Sequence, residues 1–168
     1  MAKSTIKPPN KVILTLLGIE LPQAYQDYFD GLDESGGNMP YDLIYHWEPR
    51  KSYDEPNPAI HCILQRGDIQ QRSMKNQTTL ENIFIEIHYY TENYDEIWSM
   101  YQSIMQIIIE NHKVQDVDDG TNVFENSGIE SLRATEVEWD TIYSDREEHS
   151  IHVMILTVDV QVQNSYIT

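Results

Sequence analysis

Cysteine is nearly absent from this chain. Its 168 residues include one, Cys62, which excludes an internal disulfide framework and a cysteine-based zinc site and agrees with a reducing compartment. Cations are scarce as well. Against 28 Asp and Glu stand 11 Lys and Arg, a formal net charge of −17. Such a chain cannot wrap nucleic acid by neutralising phosphates, and it repels DNA unless its few cations cluster. Ordinary solubility accounts for the charge; so does a surface that DNA must slide past without sticking. No run approaches the ~18 apolar residues of a membrane span. The stretch MAKSTIKPPNK is polar and basic, and the apolar run 12–21 is broken by Thr15, Gly18 and Glu20 with no small-residue cleavage site after it. A cytoplasmic chain is expected. Motifs of catalysis are missing too, with no Gly-rich phosphate loop and no Gly-x-Ser-x-Gly elbow.

What is present suits one packed domain. Hydrophobic residues make up 40% of the chain, enough for a core at this length. Tyr outnumbers Phe by 11 to 3, and tyrosine suits interfaces and strand faces alike. Residues 1–9, ending in Lys7-Pro8-Pro9, read as a flexible tail. A helical region follows over 10–31 in two pieces, the first capped by Asn10 and the second opened by Pro22.

Residues 41–47 alternate as a first strand, and a proline-bearing connector leads to a second strand at 59–66. Residues 67–79 are polar and read as a long exposed hairpin loop, in which the Asn76-Gln77-Thr78 sequon lacks any secretory context. The segment LENIFIEIHYY (80–90) is a strand with Ile83, Ile85, Ile87 and Tyr89 on one face and Phe84, Glu86, His88 and Tyr90 on the other. Residues 93–111 form an amphipathic helix with Asn93 as cap and Asp95 and Glu96 at its positive end. Its apolar stripe (Ile97, Met100, Tyr101, Ile104, Ile107, Ile108) is widened by Trp98, Met105 and Ile109 beyond one core face. After an acidic loop come a strand at 128–141, with Ile129, Leu132, Val137 and Trp139 facing inward in part, a charged turn, and a closing strand at 151–162. The expected fold is α+β: an antiparallel sheet of four to five strands packed against one long helix plus an N-terminal helical segment. One domain spans 10–168, with 10–57 as a helical and connector extension and 58–168 as its core.

Candidate chemistry fails on spacing. Asp116, Asp118, Asp119 and Gly120 depart from the calcium-loop pattern, and the twelfth position is Ser127. His61 and Cys62 are strand neighbours pointing to opposite faces, so they cannot form an ion pair, and Cys62 reads as core. His149 and His152, three apart at the start of a strand, diverge. His88 reads as a hydrogen-bonded surface or interface histidine. Acidic pairs are too common for any to be singled out as an acid and base. No catalytic residue, cofactor or metal site is expected; the chain is not expected to be an enzyme.

From Pro58 onward the layout resembles the tail-terminator (tail-completion) proteins of long-tailed bacteriophages and related neck and minor tail proteins. Three segments carry the resemblance: the Pro-Ala-Ile-x-x-x-Leu strand at 58–64 with the polar loop after it, NIFIEIHYYTENYDEIWSMYQSI, and a carboxylate-rich stretch leading into a long final strand. Together they cover roughly two-thirds of the chain, as a pattern of layout with no invariant motif. The opening 57 residues depart from the short first helix of the family. The resemblance implies a virion protein that forms a homo-hexameric ring, caps the tail tube, contacts sheath and head connector or neck protein, and passes DNA, with no membrane partner. It places a subunit contact on the hairpin at Asp68, Ile69, Gln70, Gln71, Arg72 and Lys75, together with edge strands that pair across subunits. It also places Asp116, Asp118 and Asp119 on the DNA channel. An acidic inhibitor or DNA-mimic module is the alternative, and a small metal-dependent enzyme using His149 and His152 a third.

Overall fold

A computed structural model describes residues 7–34, 37–52, 54–73, 78–114, 122–143 and 150–165, with the backbone alone at 71–73, 143 and 165. Two helices, α1 (Pro9–Gly31) and α2 (Asp95–Glu110), pack on one face of a five-stranded sheet. The strands are β1 (Ile44–His46), β2 (Ala59–Ser73), β3 (Thr78–Thr91), β4 (Ile129–Tyr143) and β5 (Ser150–Ser165), in the order β1-β2-β3-β5-β4.

The sheet is mixed, which corrects the antiparallel expectation. β1 runs parallel to β2, with Ile44 opposite Ala59 and His46 opposite His61, while the other three pairings are antiparallel. The 47–58 connector makes this possible, because it is long enough to carry the chain back to the start of the sheet before β2.

Both α+β layers are as expected, but the helices are not one long helix plus a lesser N-terminal segment. α1 is continuous over 23 residues and longer than the 16-residue α2. Pro22 lies inside α1, where it removes the N–H that would bond the Gly18 carbonyl. The helix continues because both halves bury side chains in the same core: Val12, Ile13, Leu16 and Leu17 before Pro22, and Leu21, Ala24 and Tyr25 around and after it. Each such large apolar side chain contributes about 1.5–3 kcal/mol, which offsets the loss at one proline.

Asn10 is not the helix cap. The helix begins at Pro9, a residue with no N–H to satisfy. The buried Asn10 side chain instead donates from Nδ2 to the carbonyls of Trp47 (3.1 Å) and Cys62 (3.3 Å), tying α1 to the β1 and β2 region. Asn93 is not the cap of α2 either: Tyr94 holds that position without a side-chain cap bond, and Asn93, one residue earlier, accepts the Asp95 N–H on its Oδ1 at 3.2 Å. Ser99 and Ser103 keep α2 slim where α1 crosses it; Ser99 Oγ meets the Tyr25 hydroxyl at 3.1 Å, and Ser103 donates back to the Ser99 carbonyl.

The expected polar loop at 67–79 is mostly strand. β2 extends to Ser73 and β3 starts at Thr78, with Asp68 opposite Asn82, Ile69 opposite Glu81 and Gln70 opposite Leu80. Pairing of β2 with β3, and of the start of β3 with the end of β5, runs through the backbone and does not require apolar side chains, so hydropathy alone does not mark it. The first strand is shorter than the expected 41–47. β5 matches its reading: Met154, Leu156, Val158, Val160 and Val162 are all buried against the helices.

Candidate interaction surfaces

The helix-free face of the sheet carries the polar side of each strand. On β3, the His88 ring bridges its same-face neighbours: Nε2 lies 2.6 Å from Glu86 Oε2, and Nδ1 lies 3.0 Å from the Tyr90 hydroxyl. His88 is therefore a hydrogen-bonded face residue. Arg66 stacks over the Phe84 ring at 4.5 Å, and Arg50 over Tyr90 at 4.7 Å. Across the sheet, Arg133 Nη2 stands 3.7 Å from Asp159 Oδ2. Glu136, Glu138 and Asp140 follow on the same side of β4, opposite Thr157, Ile155 and Val153. The face is acidic in balance, and among the described residues no helix covers it.

His61 and Cys62 point to opposite faces, as the strand geometry requires. Cys62 pairs with Ile87 in the core, where burial pushes its thiol pKa up, away from the thiolate a nucleophile needs. His61 sits on the other face between His46 (ring centroids 4.7 Å) and Tyr90 (5.4 Å), with Nδ1 2.6 Å from the Glu48 carbonyl. Only an N–H can face a carbonyl, so Nδ1 carries a proton. Burial lowers the His61 pKa, outweighing the hydrogen bond to Glu48, and holds the ring neutral. The connector beside it is pinned by Arg50, which donates to the carbonyls of Ser52 and Glu55 and to Asn57 Oδ1. These contacts fix a loop and a sheet edge. His152 bonds Thr141 Oγ1 at 3.1 Å, and its companion His149 lies outside the described residues. Among the described residues no group of three His, Cys, Asp or Glu side chains could hold a metal ion.

Two surfaces stand out by exposure of apolar groups. On the hairpin, Leu64 and Ile69 of β2 are 53% and 70% exposed. Asp68, Ile69 and Gln70 all lie on this open stretch. Gln71 pairs with Thr79 through its backbone, while the side chains of Gln71 and Arg72, and the whole of Lys75, lie outside the described residues. So do Asp116, Asp118 and Asp119.

The second surface was not legible as a unit. Trp98 and Tyr101 of α2 meet Trp139 of β4, with ring centroids 6.0 Å apart for Trp98–Trp139 and 5.0 Å for Tyr101–Trp139. Tyr94 packs edge-on to His152 at 5.0 Å. These rings border a cleft of about 470 Å³ lined by Tyr94, Ile97, Trp98, Trp139, Asp140, Thr141 and Val153. Tyr94, Trp98 and Trp139 remain 45–68% exposed. The signal in the sequence was the excess width of the α2 stripe, since Trp98 and Ile109 are the residues that fall off the core side.

No protein-family model matches the chain, and no curated protein matches it. A solved structure described as "Virion of native gene transfer agent (GTA) particle" is similar at a TM-score of 0.41, with 9% sequence identity, over 88% of this chain and 98% of that chain. A likeness at that level carries no argument about what this chain does. Among the described residues no helix is long and apolar enough to cross a membrane.

Proposed function

We propose that the chain is a structural subunit of a bacteriophage virion, similar to tail terminators: a non-catalytic protein that forms a homo-hexameric ring at the tail–neck junction. In this reading the ring caps the tail tube, touches sheath protein, joins the head connector, and lets DNA pass over an acidic surface. The observation that carries it is a sheet left open at both sides among the described residues. β2 runs on past the three-residue β1, and β4 ends the sheet with exposed aromatics beside it. Open edges of this length invite pairing with another chain. The strand–helix order from β2 to β5 supplies the further resemblance, and the net −17 keeps DNA moving past.

The test is negative-stain microscopy of the purified protein mixed with purified tail tubes. A ring or cap at one tube end is expected. Protein that stays monomeric at high concentration and leaves both tube ends bare would overturn the proposal.

One observation favours a second reading, an acidic DNA-mimic module. Glu136, Glu138 and Asp140 repeat at alternate positions on one face of β4, so their carboxylates form a row. That reading expects tight, salt-sensitive association with a basic nucleic-acid enzyme and no self-assembly.

A further inference from the structure

We propose that copies of this chain join head to tail, the free edge of β2 in one subunit adding to the free edge of β4 in the next. The inference rests on the ring reading and names the surfaces such a ring uses.

Each edge is partly closed by the chain itself, which defines what is left. On β2, β1 covers Ala59 to His61, and Asn10 takes the Cys62 carbonyl. From residue 63 to 73 no strand among the described residues lies on that side. On β4, the segment after α2 covers the start: Val114 donates to the Glu130 carbonyl at 3.0 Å, and Leu132 to the His112 carbonyl at 3.1 Å. From residue 133 to 143 no strand among the described residues lies on the outer side. The two free stretches are of equal length, and each presents outward N–H and C=O groups in about half of its residues.

Their charges are opposite. Residues 63–73 read ILQRGDIQQRS, with Arg66 and Arg72 against Asp68; residues 133–143 read RATEVEWDTIY, with Glu136, Glu138 and Asp140 against Arg133. Pairing β4 with β4 would bring two net-negative stretches together, and pairing β2 with β2 two net-positive ones. Like charges opposed across strands destabilise a pairing, so both symmetric contacts are discouraged and the mixed one is favoured. Charges that merely guarded the edges against any pairing would serve equally well with one sign on both. In a chain this acidic, a net positive edge has to be accounted for. Apolar contact is available on each side, from Leu64 and Ile69 on one edge and Trp139 on the other. A contact between two different patches is heterologous, and repeated it closes into a ring or runs on as a filament.

The test uses three variants of the full chain: Glu136→Lys with Glu138→Lys, Arg66→Glu with Arg72→Glu, and all four together. Far-UV circular dichroism and melting curves confirm the fold of each, and assembly is followed by native mass spectrometry and on tail tubes. Either double reversal alone is expected to weaken assembly roughly tenfold, and the fourfold variant to recover to within about threefold of the unaltered protein. Losses that add in the fourfold variant, or double reversals that assemble normally into rings, overturn the edge pairing while leaving the ring reading intact. Charge-dependent open chains that never close would instead remove the ring and keep the pairing. A protein monomeric alone and on tubes removes both.

Discussion

Replacing Asn10 tests whether α1 is stitched to the sheet by the bonds described. Its Nδ2 donates to the Trp47 and Cys62 carbonyls at 3.1 and 3.3 Å, and the side chain is 4% exposed. In Asn10→Ala both carbonyls lose their donor. Trp47 is half-exposed, so its carbonyl regains water at a cost of about 1 kcal/mol, whereas Cys62 is fully buried and its carbonyl stays unpaired at about 1–3 kcal/mol. A total loss of roughly 2–4 kcal/mol is expected. Asn10→Asp, the same size without the donor, places a carboxylate against two carbonyl oxygens and should cost at least as much. Urea unfolding reads this directly: with a slope of about 2 kcal/mol/M, the midpoint falls by about 1–2 M. A loss under about 0.5 kcal/mol in both variants would refute the reasoning, because it would mean that α1 docks through its apolar face alone.

Gly128 has φ +69°, and a Cβ there would stand 2.5 Å from the Gln163 carbonyl oxygen. Gly128→Ala should therefore lower stability by about 2 kcal/mol or more, and an unchanged melting temperature would contradict this. His61 has a folded pKa lowered by burial, so the unfolded chain binds the extra proton first. Its contribution to stability is complete above the unfolded value of about 6.5 and is lost as pH falls from there through the folded pKa. His61→Gln should flatten the fall in stability between pH 7 and pH 5; parallel profiles for the two proteins would contradict it. Truncating Ile104, fully buried in α2, should cost about 2–5 kcal/mol in the same urea assay, and a loss below 1 kcal/mol would count against the placement of α2 on the sheet.

Much of the fold was legible where one periodicity ran unbroken. β3 alternates in its second half, β5 keeps one apolar face along its length, and α2 keeps its helical stripe; all three sit within a few residues of where their patterns put them. β4 shows why "inward in part" was the right reading. Its inward residues Leu132 and Ala134 are even, while Val137 and Trp139 are odd, because a bulge between Ala134 and Glu136 shifts the phase. The illegible parts depend on partners distant in sequence. Alternation at 41–47 marked β1, but not its parallel pairing to β2, which no local pattern can announce. The distal hairpin is mostly polar on both strands, so no hydrophobic alternation marks its pairing. Pro22 argued for a break, yet the core on both sides of it holds one helix. Of the two exposed apolar surfaces, the hairpin lies in a segment whose polar sequence already marked it as exposed. The Trp98–Tyr101–Trp139 cluster had no such mark, since α2 and β4 meet only in three dimensions.

The central claim is that the chain works by joining copies of itself through its two open sheet edges. Hydrogen exchange tests this most directly, comparing the free protein with protein bound to tail tubes. The account predicts that amides at 63–73 and 133–143 gain protection together on assembly, while those of α1 and α2 stay as they were. Assembly that leaves both edges exchanging as in the free protein, or protein that never binds the tube, would contradict it.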